Sequence, residues 1–161
     1  PGMKGFEHRL GGLEKEENTG NVSYEAENHQ KMINLRKEKM QKLQSQLPLQ
    51  ELDSGKAGAE VALVTWGSTY GSIKTAIKEL EPYNLDVAHI HLRYLSPFPK
   101  NLGDLLQSFD QVLVPELNNG QLLQLLRSEY LIDAQGINKV QGVPLTSREL
   151  IEHLSTYFNI I

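Results

Sequence analysis

The chain has 161 residues, with 16 Lys/Arg against 20 Asp/Glu and a formal net charge of -4. That length holds one domain, or one domain with an extension, and no run approaches the ~18 apolar residues of a membrane span; the mildly acidic balance argues against a nucleic-acid or anionic-membrane binder, which needs a concentrated positive field. There is no cysteine, so disulfides, thiolate zinc sites, cysteine nucleophiles and cysteine-held iron–sulfur clusters are excluded within this chain.

Residues 1–60 carry 9 Lys/Arg and 10 Asp/Glu but two aromatics, Phe6 and Tyr24, whereas residues 61–161 carry nine aromatics. The core is therefore expected in the second part. Residues 1–22, rich in Gly, Glu and Asn, predict an extended loop. PGMKGFEHRL has no signal-peptide core, which with the absence of cysteine and of a membrane span leads to the expectation of a cytoplasmic protein, and the missing Met at position 1 suggests a chain cut from something longer. From Ser23, an apt N-cap, YEAENHQKMINLRKEKMQKLQSQL predicts a helix of about six turns. Its apolar stripe is thin (Met32, Leu35, Met40, Leu43, Leu47), which suits a surface or connecting helix. Pro48 and ELDSGKAGAE predict a flexible linker over residues 48–58.

From residue 59 strands and helices alternate. VALVT (Val61 to Thr65) is a continuous apolar run, as in a strand covered on both faces. A helix follows with Ile73, Ala76, Ile77 and Leu80 at helical spacing. DVAHIHLRYL (Asp86 to Leu95) predicts a second strand, NLGDLLQSF a short helix, and QVLVPE (Gln111 to Glu116) a third strand. GQLLQLLRSEYLI predicts a helix, with a short strand near Ile137–Val140. A last helix carries Leu150, Ile151, Leu154, Tyr157, Phe158 and Ile161. This order predicts a three-layer α/β sandwich with a mostly parallel sheet.

Ligands of such sheets sit beyond the carboxyl ends of the strands. At the first end, Gly67-Ser68-Thr69 can bind phosphate through backbone N–H groups, but it is neither a Walker loop nor GxGxxG, and helix capping by Ser68 or Thr69 is favoured. At the second, Arg93 can clamp an anion or bridge an interface, and the interface is favoured. At the third, Glu116 before Leu117-Asn118-Asn119-Gly120 can act as a base, cap the next helix or pair with Arg93; the last two are favoured. His89 and His91 alternate along a strand and share a face. Without an obvious third ligand, hydrogen-bonded packing is favoured over a metal pair. Glu7-His8 is an acid–base pair by type alone.

Five strings occur in order: GFEHRLGGLEKEENTGNVSYEAENHQKM, TWGSTYG, HLRYLSPFPKNLG, VPELNNGQL and DAQGINKVQG. Together they resemble the C-terminal part of the α subunits of 2-oxoacid:ferredoxin oxidoreductases, and within that family the 2-oxoglutarate type. The resemblance implies oxidative decarboxylation of a 2-oxoacid with coenzyme A, giving acyl-CoA (succinyl-CoA for 2-oxoglutarate), CO2 and reduced ferredoxin. It implies thiamine diphosphate and Mg2+ bound mainly outside this chain, and an iron–sulfur cluster in partner chains. The implied partners are the β subunit, the upstream α portion and ferredoxin. Residues 1–47 correspond to the tail of a pyrimidine-binding domain and its connecting helix, and residues 59–161 to a transketolase C-terminal-like domain. No catalytic or metal residue carries over. Glu7 and His8 are expected near the active site of the full enzyme, and Ser68, Arg93, Glu116 and Asn118 at a domain or subunit interface. The alternative is an independent small-molecule or phosphate-binding module.

Overall fold

The computed structural model describes residues 2–8 and 10–158 and divides into two units, Pro1–Leu47 and Pro48–Ile161. The first unit pairs a loop with helix α1, Ala26–Gln46. Lys, Glu, Gln, Met and Leu favour that helix, and Pro48 follows its end. The helix begins three residues after Ser23, because the Ser23 backbone is committed to the loop: its N–H bonds Glu14 O beside a Lys15–Val22 bridge. No residue of α1 is buried. Charge knits the unit instead. Glu14 accepts from His29 at 2.7 Å and Arg36 at 2.9 Å, and these bonds, Arg36 first, hold its carboxyl at about 2.

The second unit is built on four parallel strands: β1 (Val61–Trp66), β2 (Val87–Leu92), β3 (Gln111–Glu116) and β4 (Ala134–Asn138). Their order is β2-β1-β3-β4. The first five residues of β1 are buried, as a central strand covered on both faces must be. Alternate residues feed two cores. Ala62, Val64, Ile90 and Val114 pack with α3 (Leu102–Gln107) and α4 (Gln121–Tyr130). Val61, Leu63 and Leu113 pack with α2 (Tyr70–Leu80) and α5 (Ser147–Tyr157). The expected three-layer α/β architecture is thus present.

Local boundaries differ from expectation in instructive ways. β2 ends at Leu92, the last residue in register with Trp66, so Arg93 and Tyr94 lie beyond the strand. β4 starts at Ala134, opposite Val112, earlier than its apolar signal suggests because Gln135 and Gly136 dilute it. Ile161, expected on the α5 stripe, lies outside the described residues. The α5 start is a capping box that the chain spells as Thr146-x-x-Glu149. Hydrogen bonds from Lys139 and then Thr146 hold the Glu149 carboxyl at about 2.

Residues 48–58, expected as a flexible linker, are tied to the β2 edge. Asp53 N–H donates to His89 O, Ser54 O accepts from His89 N–H, and Asp53 Oδ2 accepts from His91 N–H. Gln50 Nε2 donates to His91 O, and the Gln50 backbone exchanges two bonds with the Asn101 side chain. Gly55 permits this approach: at φ +81°, a Cβ there would lie 2.6 Å from Ala88 Cα and Val87 O.

Candidate functional site

The chain steps from β1 to β2 on one side and returns to β3 on the other. The carboxyl ends of β1 and β3 are therefore the switch point at which α/β sheets open a crevice. Here it is a cavity of about 210 Å³ lined by Trp66, Gly67, Ser68, Thr69, Leu117 and Asn118.

Glu116 organises its floor. The residue is fully buried at the end of β3. Its Oε1 accepts from Leu122 N–H at 2.9 Å, Asn118 Nδ2 at 3.0 Å and the Trp66 indole N–H at 3.2 Å, and its Oε2 accepts from Leu123 N–H at 3.0 Å. Two of these are first-turn N–H groups of α4, so the carboxylate caps that helix and meets its positive end. Asn118 Oδ1 accepts from Gly120 and Gln121 N–H and completes the turn. A carboxylate with four internal donors is committed to structure, and the capping alternative is the one realised. Pairing with Arg93 does not occur, because β1 lies between β2 and β3. Arg93 is exposed just past β2 and makes no ion pair among the described residues.

Neither expected helix cap forms at the β1 end. A 3-10 turn, Gly67–Thr69, leads into α2 with no side-chain cap. Thr69 Oγ1 donates back to Trp66 O, and Ser68 is exposed.

His89 and His91 share the α2 face of the sheet, and Thr65, unmarked in the sequence, stands between them. Its hydroxyl is 2.8 Å from His89 Nε2 and 2.8 Å from His91 Nδ1. One hydroxyl proton serves one ring, so the other ring donates to the oxygen. The Tyr70 ring packs on both imidazoles, with centroids 5.5 and 4.8 Å away. Burial pushes His89 down to about 4 and lowers His91, with Asp53 opposing both. The pair is a packed, hydrogen-bonded face. Among the described residues no group of three or more His, Asp or Glu is placed to hold a metal, and a chain without cysteine offers no thiolate for a cluster. The residues present do not fit either group.

A second cleft, about 330 Å³, lies between residues 48–53 and the chain after β2, with His91, Arg93 and Tyr94 on its wall. In the other unit, Glu7 accepts from Gly5 N–H and His8 Nδ1–H donates to Phe6 O. Both are exposed and bond to backbone rather than to each other.

The model of the family "Pyruvate:ferredoxin oxidoreductase core domain II" matches residues 59–149. The 2-oxoglutarate oxidoreductase subunit KorA of Mycobacterium tuberculosis is 45% identical over 150 residues, 93% of this chain and 23% of that protein. The 2-oxoglutarate synthase subunit KorA of Methanocaldococcus jannaschii is 30% identical over 119 residues, 74% of this chain and 31% of that one. The solved 2-oxoglutarate:ferredoxin oxidoreductase from Magnetococcus marinus, with 2-oxoglutarate, coenzyme A and succinyl-CoA bound, superposes with a TM-score of 0.82 at 27% identity. That alignment covers 97% of this chain and 27% of the other. The chain thus spans about a quarter of the length of these relatives.

Proposed function

Because the chain belongs to the family of pyruvate:ferredoxin oxidoreductase core domain II, we propose that it serves as the C-terminal domain of the α subunit of a cytoplasmic 2-oxoacid:ferredoxin oxidoreductase. The observation that carries this is the 45% identity to a 2-oxoglutarate oxidoreductase subunit along 93% of the chain. The same relative favours 2-oxoglutarate as the substrate, oxidatively decarboxylated to succinyl-CoA with coenzyme A while ferredoxin is reduced. Thiamine diphosphate, which would supply the carbanion chemistry of decarboxylation, and Mg2+ would be held mainly outside these residues. The iron–sulfur cluster would sit in partner chains.

The task left to this chain is assembly. Arg93, exposed and without an ion pair among the described residues, and Ser68, exposed on the crevice rim, would meet the β subunit or the upstream α portion. Glu116 and Asn118 would shape the same rim from beneath, by fixing the loop before α4. Glu7 and His8 would lie toward the active site of the full enzyme.

Reconstitution tests the reading. Mixing the chain with the remaining α portion and the β subunit should give a complex that reduces ferredoxin when supplied with 2-oxoglutarate and coenzyme A. Arg93→Ala should weaken that assembly more than it lowers the melting temperature. Failure to associate even at low salt would count against the assembly role. Calorimetric titration of the chain alone with thiamine diphosphate, coenzyme A and 2-oxoglutarate should show no micromolar binding. Heat of binding from any of them would instead favour an independent binding module.

A further inference from the structure

The hydroxyl of Thr65 bonds two imidazoles at once, His89 through Nε2 and His91 through Nδ1, each at 2.8 Å. Thr65 is fully buried, so water does not stand in for either ring. The hydroxyl brings one proton and serves both bonds only when one ring donates to it and the other accepts from it. Two arrangements meet that condition. In the first, His89 donates through Nε2–H and His91 accepts at Nδ1, so both neutral rings carry their proton on Nε2, the form a free imidazole side chain prefers. In the second, His91 donates through Nδ1–H and His89 accepts at Nε2, so both carry it on Nδ1. A change in one ring alone leaves either a ring nitrogen or the hydroxyl proton without its partner, which is costly in a buried site.

A proton added to His91 removes the first arrangement. The imidazolium has N–H on both nitrogens and donates to Thr65 through Nδ1. The hydroxyl then turns to His89, whose own proton moves to Nδ1. His91 is the ring that charges first, because it is half-buried whereas His89 is 1% exposed. Burial lowers both rings. Of the charges facing them, Asp53 of the edge cover favours protonation of both, while Lys74 of α2 opposes it at His89 and Arg93 beyond β2 opposes it at His91. Tyr70 of α2 presents its ring to both. A second proton, on His89, would aim two N–H groups at one oxygen and orphan the hydroxyl proton, with two charged rings 6.1 Å apart. The pair therefore accepts one proton and resists the next.

We infer that Thr65 couples the two imidazoles into a one-proton switch: protonation of His91 at the sheet edge reverses both hydrogen bonds and moves the proton of the buried His89 from Nε2 to Nδ1. His91 also lines the cleft beside residues 48–53, so a protonation event at that cleft is transmitted to the sheet face beneath α2. This rests on β1, β2 and the residues facing them and is independent of the oxidoreductase reading.

Imidazole 15N spectra of the full 161-residue chain, recorded between about pH 7.5 and 4.5, test it. In the wild type, the His89 ring nitrogens should exchange their protonated and unprotonated shifts at the same midpoint at which His91 becomes charged. Thr65→Ser keeps the hydroxyl and should keep the shared midpoint. Thr65→Val keeps the shape and removes the hydroxyl; His91 should still titrate while His89 holds one form through that transition. Asp53→Asn removes the carboxylate that favours the charged ring and should lower the midpoint seen at both rings by the same amount. A wild-type His89 that keeps its proton on one nitrogen while His91 titrates overturns the inference, whether or not the Val variant folds. So does a Thr65→Val chain whose rings still change together, or an Asp53→Asn chain whose two midpoints separate.

Discussion

Glu116 and His89 are both buried polar side chains, held in different surroundings. Glu116 is surrounded by donors. Glu116→Ala would orphan two α4 N–H groups, the Trp66 indole and the Asn118 amide, and should cost about 3 kcal/mol in urea unfolding. An unshifted unfolding midpoint would contradict the capping role. His89 instead stays neutral. Its pKa near 4 lies below the ordinary 6.5, so as pH falls the unfolded chain takes up the proton first. The stability tied to the neutral ring is complete above pH 6.5 and is lost between 6.5 and 4, by about 3 kcal/mol. Glu14 and Glu149, held near 2, add losses only below about 4.5. Urea midpoints between pH 7 and 4.5 should therefore fall for the wild type and flatten for His89→Gln; equal slopes would refute the assignment. The shared face of His89 and His91 is legible from strand alternation. Thr65 is not, because nothing in VALVT announces that its hydroxyl will lie opposite His91 until β1 and β2 pair.

At the scale of elements, strands and helices follow from apolar runs and helical spacing, and their ends follow from capping chemistry. Thr146→Ala should remove one half of the capping box and lower stability by about 1 kcal/mol, measurable as a melting shift. The segment before β1 is the element where sequence logic misleads. Gly, Ser, Lys and Asp in ELDSGKAGAE are linker composition, yet they form an edge cover, because bonds from Gln50, Asp53 and Ser54 reach residues some forty positions away. Gly55→Val should displace that cover, since its side chain would overlap Ala88 and Val87. Faster amide exchange at His89 and His91, with β3 protection retained, is the expected result; unchanged exchange would mean that the segment is held by other contacts.

For the whole molecule, the apolar core belongs to the second unit, as the aromatic bias of residues 61–161 foretells. With no buried residue in α1, a chain beginning at Pro48 should unfold cooperatively with a midpoint within about 3 °C of the full chain. A much larger drop would show that the first unit contributes to that core. The same scale separates β2, whose edge residues 50–54 cover, from β4, whose outer edge pairs with no strand among the described residues.

Apolar periodicity and the uneven distribution of charge and aromatics, by themselves, determined the α/β class, the strand and helix order and the concentration of the core after residue 59. Each depends on neighbours within one or two turns or on the average burial a segment demands. Tertiary structure alone decided the strand order β2-β1-β3-β4, the seat of Thr65 between two histidines, the separation of Arg93 from Glu116 and the docking of residues 50–54 on β2. These depend on which distant segments meet, and single side chains carry no local signal for a partner that only the packed sheet brings within reach.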